Sequence, residues 1–402
     1  MTSKSQPRVS DRVRNMEESA TLKMSQKARE LRAQGHDVIA LSLGEPDFDT
    51  PEYIKQAAAE ALKAGKTKYT PVPGIMALRE AISDKFKEDN DLDYSPAQIV
   101  VSNGAKQSIA NACLALLNPG DEAVILTPYW VSYIEIVKLA GAHPVMVSAG
   151  IDQDFKVTPA QLEEALTDRS RVLIFSSPSN PTGSVYSREE LEGLARVLRQ
   201  YPDVIVISDE IYEHINFGEK MTSIGSLPGM LDRTVTINGF SKGYAMTGWR
   251  LGYMGAPLWI AQACSKIQGQ ITSGANSFSQ EAAVIALRQP SEEMAKMKST
   301  FESRKNLVAS RLREIPDIIV PNPTGAFYIF PDVSAYFGKS HGDTTINNAD
   351  DFAEFLLTEA HVATVSGSAF GNDDCIRISY AASEEQLNKA LDQIGKALGL
   401  LK

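Results

Sequence analysis

The sequence predicts an α/β protein: a large α/β/α domain around a mostly parallel sheet, plus a smaller α/β domain. Three observations lead there. A chain of 402 residues is too long for one ordinary core and suggests two domains. From about residue 95 to about residue 255 one pattern repeats: a short apolar run, a loop of small or turn residues, then a helix-like stretch. Buried parallel strands read as such runs, and their alternation with helices implies a sheet covered on both faces. Towards the end the pattern changes, with GAFYIF and CIRISY reading as strands of a smaller sheet.

The elements follow in order. Ile99-Val100-Val101 leads into Ser102-Asn103-Gly104-Ala105 and the helical stretch KQSIANACLALL. Ala123 to Leu126 leads into Thr127-Pro128-Tyr129-Trp130, and Val172 to Phe175 into SSPSNPTG and the helical SREELEGLARVL. Val204 to Ile207 leads into Ser208-Asp209-Glu210, and Val235-Thr236-Ile237 into NGFSKGY. Leu387, Leu391, Ile394 and Leu398 recur at helical spacing in the closing helix. No internal repeat or long linker separates the parts, so the domains are expected to pack together. Residues 1–50 and 290–402 are assigned to the small domain, and 51–289 to the large one.

Composition removes several function classes. A net charge of -10 argues against nucleic acid, whose phosphates need a basic surface. Cys113, Cys264 and Cys375 are scattered and odd in number, which fits a reducing, cytoplasmic setting and no disulfide framework. The five dispersed histidines argue against a metal centre. The opening MTSKSQPRVSDRVRN has no apolar core for a secretory signal, and no run approaches a membrane span, so a soluble protein without a membrane partner is expected.

In open α/β sheets ligands sit beyond the carboxyl ends of the strands, so the loops just named are the candidates. Lys242 follows a buried strand, where solvation is scarce and a lowered amine pKa is expected. Such an amine can form a Schiff base with an aldehyde cofactor, although a loop lysine is more often merely solvated. Arg250, eight residues on, offers a fork suited to phosphate. Asp209 ends DVIVIS and reads either as a helix N-cap or as a buried carboxylate pairing with a protonated pyridine nitrogen. Asn180 and Tyr212 could donate to a phenolic oxygen on the same ring. Gly104-Ala105-Lys106 starts a helix whose free N–H groups suit a phosphate. Trp130 offers a face for stacking, though large aromatics are more often core.

Nine motifs in order, SLGEPDFDTP, KYTPVPG, SNGAKQS, PYWVSY, SPSNPTGSVY, SDEIYEH, NGFSKGYAMTGWRLGY, GAFY and IRISYA, together resemble the class I aminotransferases. Within them the chain resembles the bacterial and plastid aspartate/prephenate branch. The resemblance implies the fold type I architecture of enzymes dependent on pyridoxal 5′-phosphate (PLP), and a homodimer with active sites at the subunit interface. It makes Lys242 the cofactor-holding lysine and proton shuttle, and pairs Asp209 with the pyridine nitrogen. Asn180 and Tyr212 then contact the ring oxygen, Trp130 stacks on the ring, and Ser241 joins the cofactor contacts. The phosphate falls to Arg250, to the Gly104, Ala105 and Lys106 backbone, and to Tyr69 of the partner subunit. Gly44 closes over the substrate, and Arg377 takes its α-carboxylate.

The stretch QGQITSGANSFSQ, where some relatives carry an arginine for a distal carboxylate, has no basic residue. Lys106 is the better candidate, because a cation at a helix N-terminus is unfavourable by roughly 0.3–1 kcal/mol unless an anion is near. Thr21 is the second. Aspartate and glutamate with their keto acids are the expected substrates, with prephenate as an additional acceptor giving arogenate. The alternatives are a PLP-dependent lyase on the same scaffold or a serine hydrolase. The latter would use Ser241 in Gly239-Phe240-Ser241-Lys242-Gly243 with His341 or His361 downstream. No G-x-G-x-x-G dinucleotide signature occurs.

Overall fold

The computed structural model describes residues 9–289 and 292–402. Positions 1–8, part of the chain start, and 290 and 291, at the expected domain boundary, lie outside the described residues. Seven strands form the main sheet: β1 (Ile99–Ser102), β2 (Glu122–Thr127), β3 (His143–Ser148), β4 (Ser170–Ser176), β5 (Ile205–Asp209), β6 (Thr234–Gly239) and β7 (Gly252–Gly255). Their spatial order is β1-β7-β6-β5-β4-β2-β3. All pairings are parallel except those of β7, which runs antiparallel to both neighbours.

Burial on both faces explains the apolar runs. Ile125, Ile174 and Ile207 point into one cluster with Ile109, while Val124, Leu173 and Val206 point into another with Leu191 and Leu194. Two strands escaped the apolar-run criterion for separate reasons. Edge strand β3, HPVMVS, is half-exposed and carries Pro144, which suits an edge because it cannot donate to a ladder. Strand β7, GYMG, is poor in strand formers, but its first glycine is needed: a Cβ on Gly252 would lie 2.2 Å from the Ala105 nitrogen. That close approach seats the helix following β1 directly against the sheet.

The helices that matter for the site are α1 (Ala105–Leu116), α2 (Arg188–Leu198), α3 (Leu258–Ile271), α4 (Glu292–Arg313) and α5 (Glu384–Leu398). Helix α2 opens on a reciprocal cap between Ser187 and Glu190, typically worth about 1 kcal/mol. Helix α5 buries Leu387, Leu391, Ile394 and Leu398, as their spacing predicts.

A second sheet of three antiparallel strands contains β8 (Tyr328–Ile329), β9 (Val365–Ser366) and β10 (Ile376–Ser379), in the order β9-β10-β8. GAFYIF and CIRISY supply β8 and β10. The early segment Ile39–Ala40 pairs in parallel with Val362–Ala363. Ile39 and Leu41 share one apolar cluster with Phe301, Val308, Phe352 and Leu391. Ile211 and Tyr212 belong to it too, so this second core abuts the loop that leaves β5. Among the described residues no helix is long and apolar enough to cross a membrane.

Candidate active site

A cavity of about 370 Å³ opens where the carboxyl ends of the strands meet the second core. Of the residues assigned from the sequence to cofactor or substrate, all but Gly104 and Tyr69 line it. Gly104 lies just behind the wall, while Tyr69 stands on the outer surface with 99% of its area exposed.

Asp209 is the last residue of β5 and only 4% exposed. Tyr133 Oη donates to its Oδ2 at 2.7 Å, and the Ile211 N–H donates to Oδ1 at 3.3 Å. The chain after it runs through turns rather than a helix, so the N-cap alternative is set aside. Burial pushes its pKa up to about 6, against the opposing pull of Tyr133, the Ile211 N–H and the Lys242 charge.

Lys242 reaches the cavity from the loop after β6. Its amine donates to the Gly44 carbonyl and lies 5.8 Å from the centre of the Tyr212 ring. Burial lowers its pKa to about 8; Glu45 opposes this shift, and the Arg377 and Arg250 charges reinforce it. Tyr212 Oη shares a 2.7 Å hydrogen bond with Tyr328 Oη, and Ser241 is buried beside the lysine.

At one end, α1 begins without a side-chain cap, leaving its first N–H groups unclaimed by side chains. Gly104 precedes it at φ +85°, and a Cβ there would sit 2.5 Å from Arg250 Nη2. Glycine therefore lets the guanidinium lie across the start of the helix. Arg250 itself adopts φ +53°, an uncommon region for a side-chain-bearing residue, and makes no ion pair among the described residues. Lys106, the second residue of α1, holds its amine 4.9 Å from the Trp130 ring centre. Burial, then the Arg250 charge, lowers its pKa.

At the other end Arg377, on β10, is 2% exposed. Its Nη1 donates to Asn180 Oδ1 at 2.9 Å and its Nη2 to the Ser42 carbonyl at 2.6 Å. Its Nε has no partner, and the guanidinium stacks 4.5 Å from the Tyr328 ring centre. A buried cation facing only neutral oxygens is costly unless an anion joins it.

Sequence reasoning missed Tyr133 and Tyr328 as site residues. Both lay inside quoted motifs, PYWVSY and GAFY, but nothing in one sequence points their hydroxyls at Asp209 and Tyr212. Glu45, whose carboxylate accepts from Thr247 Oγ1 at the rim, was missed likewise. The hydrolase alternative loses its base. His361 packs on His36 at 4.8 Å and His341 on Phe355 at 6.3 Å, and neither lines the cavity.

An acid, an amine of lowered basicity and two separated arginines around one enclosed space define an enzyme acting on small anionic molecules. Residues 36–394 match the family model "Aminotransferase class I and II". A bifunctional aspartate aminotransferase and glutamate/aspartate-prephenate aminotransferase of Petunia hybrida is 50% identical, over 98% of this chain and 83% of its own. An aspartate/prephenate aminotransferase of Cereibacter sphaeroides is 49% identical, over 96% and 97%. The aspartate aminotransferase of Rhizobium meliloti superposes with a TM-score of 0.96 at 41% identity, covering 99% of this chain and 100% of that one. That of Thermus thermophilus with maleate gives 0.91 at 39%, covering 98% and 100%. The chain belongs to the class I and II aminotransferase family, and its chemistry is transamination.

Proposed function

We propose that this enzyme uses PLP to exchange amino groups between L-aspartate or L-glutamate and oxaloacetate or 2-oxoglutarate, with prephenate as a further acceptor giving arogenate. The residues fit the cofactor. The uncapped start of α1 and the unpaired Arg250 suit its phosphate, Asp209 its pyridine nitrogen, and the Lys242 amine its aldehyde. Asn180 and Tyr212 would meet the ring oxygen, Trp130 the ring face, and Ser241 the phosphate end. Bound there, the cofactor supplies the electron sink that makes Cα acidic. Lys242 Nζ, whose burial brings its pKa down to about 8, takes the Cα proton of the donor and returns one to the acceptor. Gly44 and its neighbours exclude water above it.

The observation that carries the substrate reading is Arg377. Its free Nε and its neutral partners ask for a carboxylate, and every amino acid brings one. Arg377→Ala should therefore weaken aspartate, glutamate and alanine alike. Lys106 and Thr21 lie in the same cavity and suit a second carboxylate, which aspartate, glutamate and prephenate all carry. The named activities of the relatives support this choice.

The test is a half-reaction panel in which each amino acid is added to purified enzyme and cofactor absorbance is followed. Lys106→Met should cost dicarboxylic substrates about 10- to 150-fold in kcat/KM while sparing alanine and phenylalanine. An equal loss for all substrates would give Lys106 to the cofactor phosphate, and no loss would leave it a solvent-facing helix residue.

The same reading takes residues 1–50 and 290–402 as the small domain, 51–289 as the large one, and the molecule as a cytoplasmic homodimer. Tyr69, exposed here, would complete the partner's phosphate site.

A further inference from the structure

The stretch that lacks a distal-carboxylate arginine carries two buried glutamines, Gln268 and Gln280. Gln268, on α3, is 0% exposed and makes four hydrogen bonds. Its Oε1 accepts from Ser102 Oγ at 2.7 Å and from Asn111 Nδ2 at 3.1 Å. Its Nε2 donates to the Val101 carbonyl at 2.8 Å and to the Val72 carbonyl at 2.9 Å. Both donor and acceptor ends are therefore doubly used, which no other side chain of this size can reproduce.

Those four partners belong to two different structures. Ser102 ends β1 immediately before the Asn103-Gly104 turn, and Asn111 lies on α1, the helix that this turn opens. Val72 belongs to loop 66–75, which carries Tyr69. That loop is pinned along its length. Val101 N donates to the Pro73 carbonyl at 3.0 Å, and Ile75 N to Gln280 Oε1 at 2.8 Å. Gln280 Nε2 reaches Thr70 Oγ1 at 3.1 Å, and Ser277 Oγ reaches the Lys66 carbonyl at 2.6 Å. An aromatic ring that is 99% exposed on a loop held at so many points is presented outward in a fixed position.

We propose that Gln268 is a positioning residue for two phosphate-binding elements at once: the Gly104 turn of its own subunit and the Tyr69 loop offered to the partner subunit. This rests on the reading of Tyr69 given above. Gln280 supports only the second element.

The experiment titrates apoprotein with PLP and, separately, with pyridoxal, which lacks the phosphate, following absorbance. Gln268→Met keeps the volume and removes the hydrogen bonds. If it fails to fold, Gln268→Glu carries the test, since a buried carboxyl, held protonated, still accepts from Ser102 and Asn111 but can donate to only one of the Val72 and Val101 carbonyls. Either variant should raise the Kd of PLP about 10- to 100-fold and leave that of pyridoxal within about 3-fold. Tyr69→Phe should raise the Kd of PLP in the same selective way. In hybrid dimers of Gln268→Glu with Lys242→Ala, the one intact Lys242 site receives Tyr69 from a subunit with the native glutamine but keeps its own altered Gly104 turn, and PLP affinity there should recover in part. Equal weakening of PLP and pyridoxal would reduce Gln268 to a structural residue and overturn the proposal. So would selective loss in Tyr69→Phe with none in the Gln268 variants. No loss in Tyr69→Phe would instead strike down the reading of Tyr69, and the shared role with it.

Discussion

Lys242→Ala should lower transamination by about 10⁴-fold while leaving the fold intact, the upper end of what one positioned proton-transferring group contributes. The amine projects into the cavity with its pKa lowered to about 8 and an uncharged partner, the Gly44 carbonyl. Burial is the main cause of the shift to about 8, and the Arg377 and Arg250 charges add to it against Glu45. Raising the pH through about 8 therefore frees the amine, whereas an ordinary lysine waits until about 10.5. Reductive methylation of the apoprotein, read residue by residue with mass spectrometry, should label Lys242 at a rate that climbs through that lower range. Lys242→Arg separates charge from proton transfer, because a guanidinium keeps its proton throughout. It should be as inactive as the alanine variant. Activity in Lys242→Arg within tenfold of the native enzyme would mean that the residue serves only as a cation.

The strands of the main sheet were legible where burial on both faces forced continuous apolar runs, as in β2, β4, β5 and β6. β3 and β7 were not, since an edge strand is half-wet and β7 trades side chains for close approach to α1. The cavity-lining residues were legible for a different reason. Each lies at the carboxyl end of a strand or in the loop that follows it, so topology alone gathers Trp130, Asn180, Asp209 and Lys242 at one edge, with Gly104 just behind them. What stayed hidden was contact between distant segments. Tyr133 and Asp209 are 76 residues apart, Tyr212 and Tyr328 116, and Gln268 and Ser102 166. No periodicity encodes such pairs. A buried glutamine in a helix reads as an ordinary polar residue until its four partners are seen.

Asp209→Asn should move stability and activity in opposite directions. In the apoprotein the carboxylate is buried, and its pKa lies at about 6 instead of 3.8. A folded-state pKa above the unfolded value means that the folded protein holds more protons between about 3.8 and 6. Stability then falls as the pH rises through that window, and above it the full cost applies. At about 1.4 kcal/mol per pH unit, that cost is roughly 3 kcal/mol. An asparagine carries no charge, its Oδ1 can still accept from the Ile211 N–H, and its Nδ2 can donate to Tyr133 Oη once that hydroxyl turns to accept. Without cofactor it should therefore stabilise the protein by about 1–3 kcal/mol at pH 7.5, shrinking to about a third of that near pH 4.5. With PLP bound the carboxylate would gain a cationic partner in the protonated pyridine nitrogen, and the same substitution should slow Cα proton transfer by about 10²- to 10⁴-fold. Denaturant melts of the apoprotein at the two pH values and single-turnover reactions of the loaded enzyme check both halves. If asparagine destabilises the apoprotein equally at both pH values, the carboxylate is a local cap for the turn at Ile211. If turnover stays within tenfold, its role towards the pyridine nitrogen is lost.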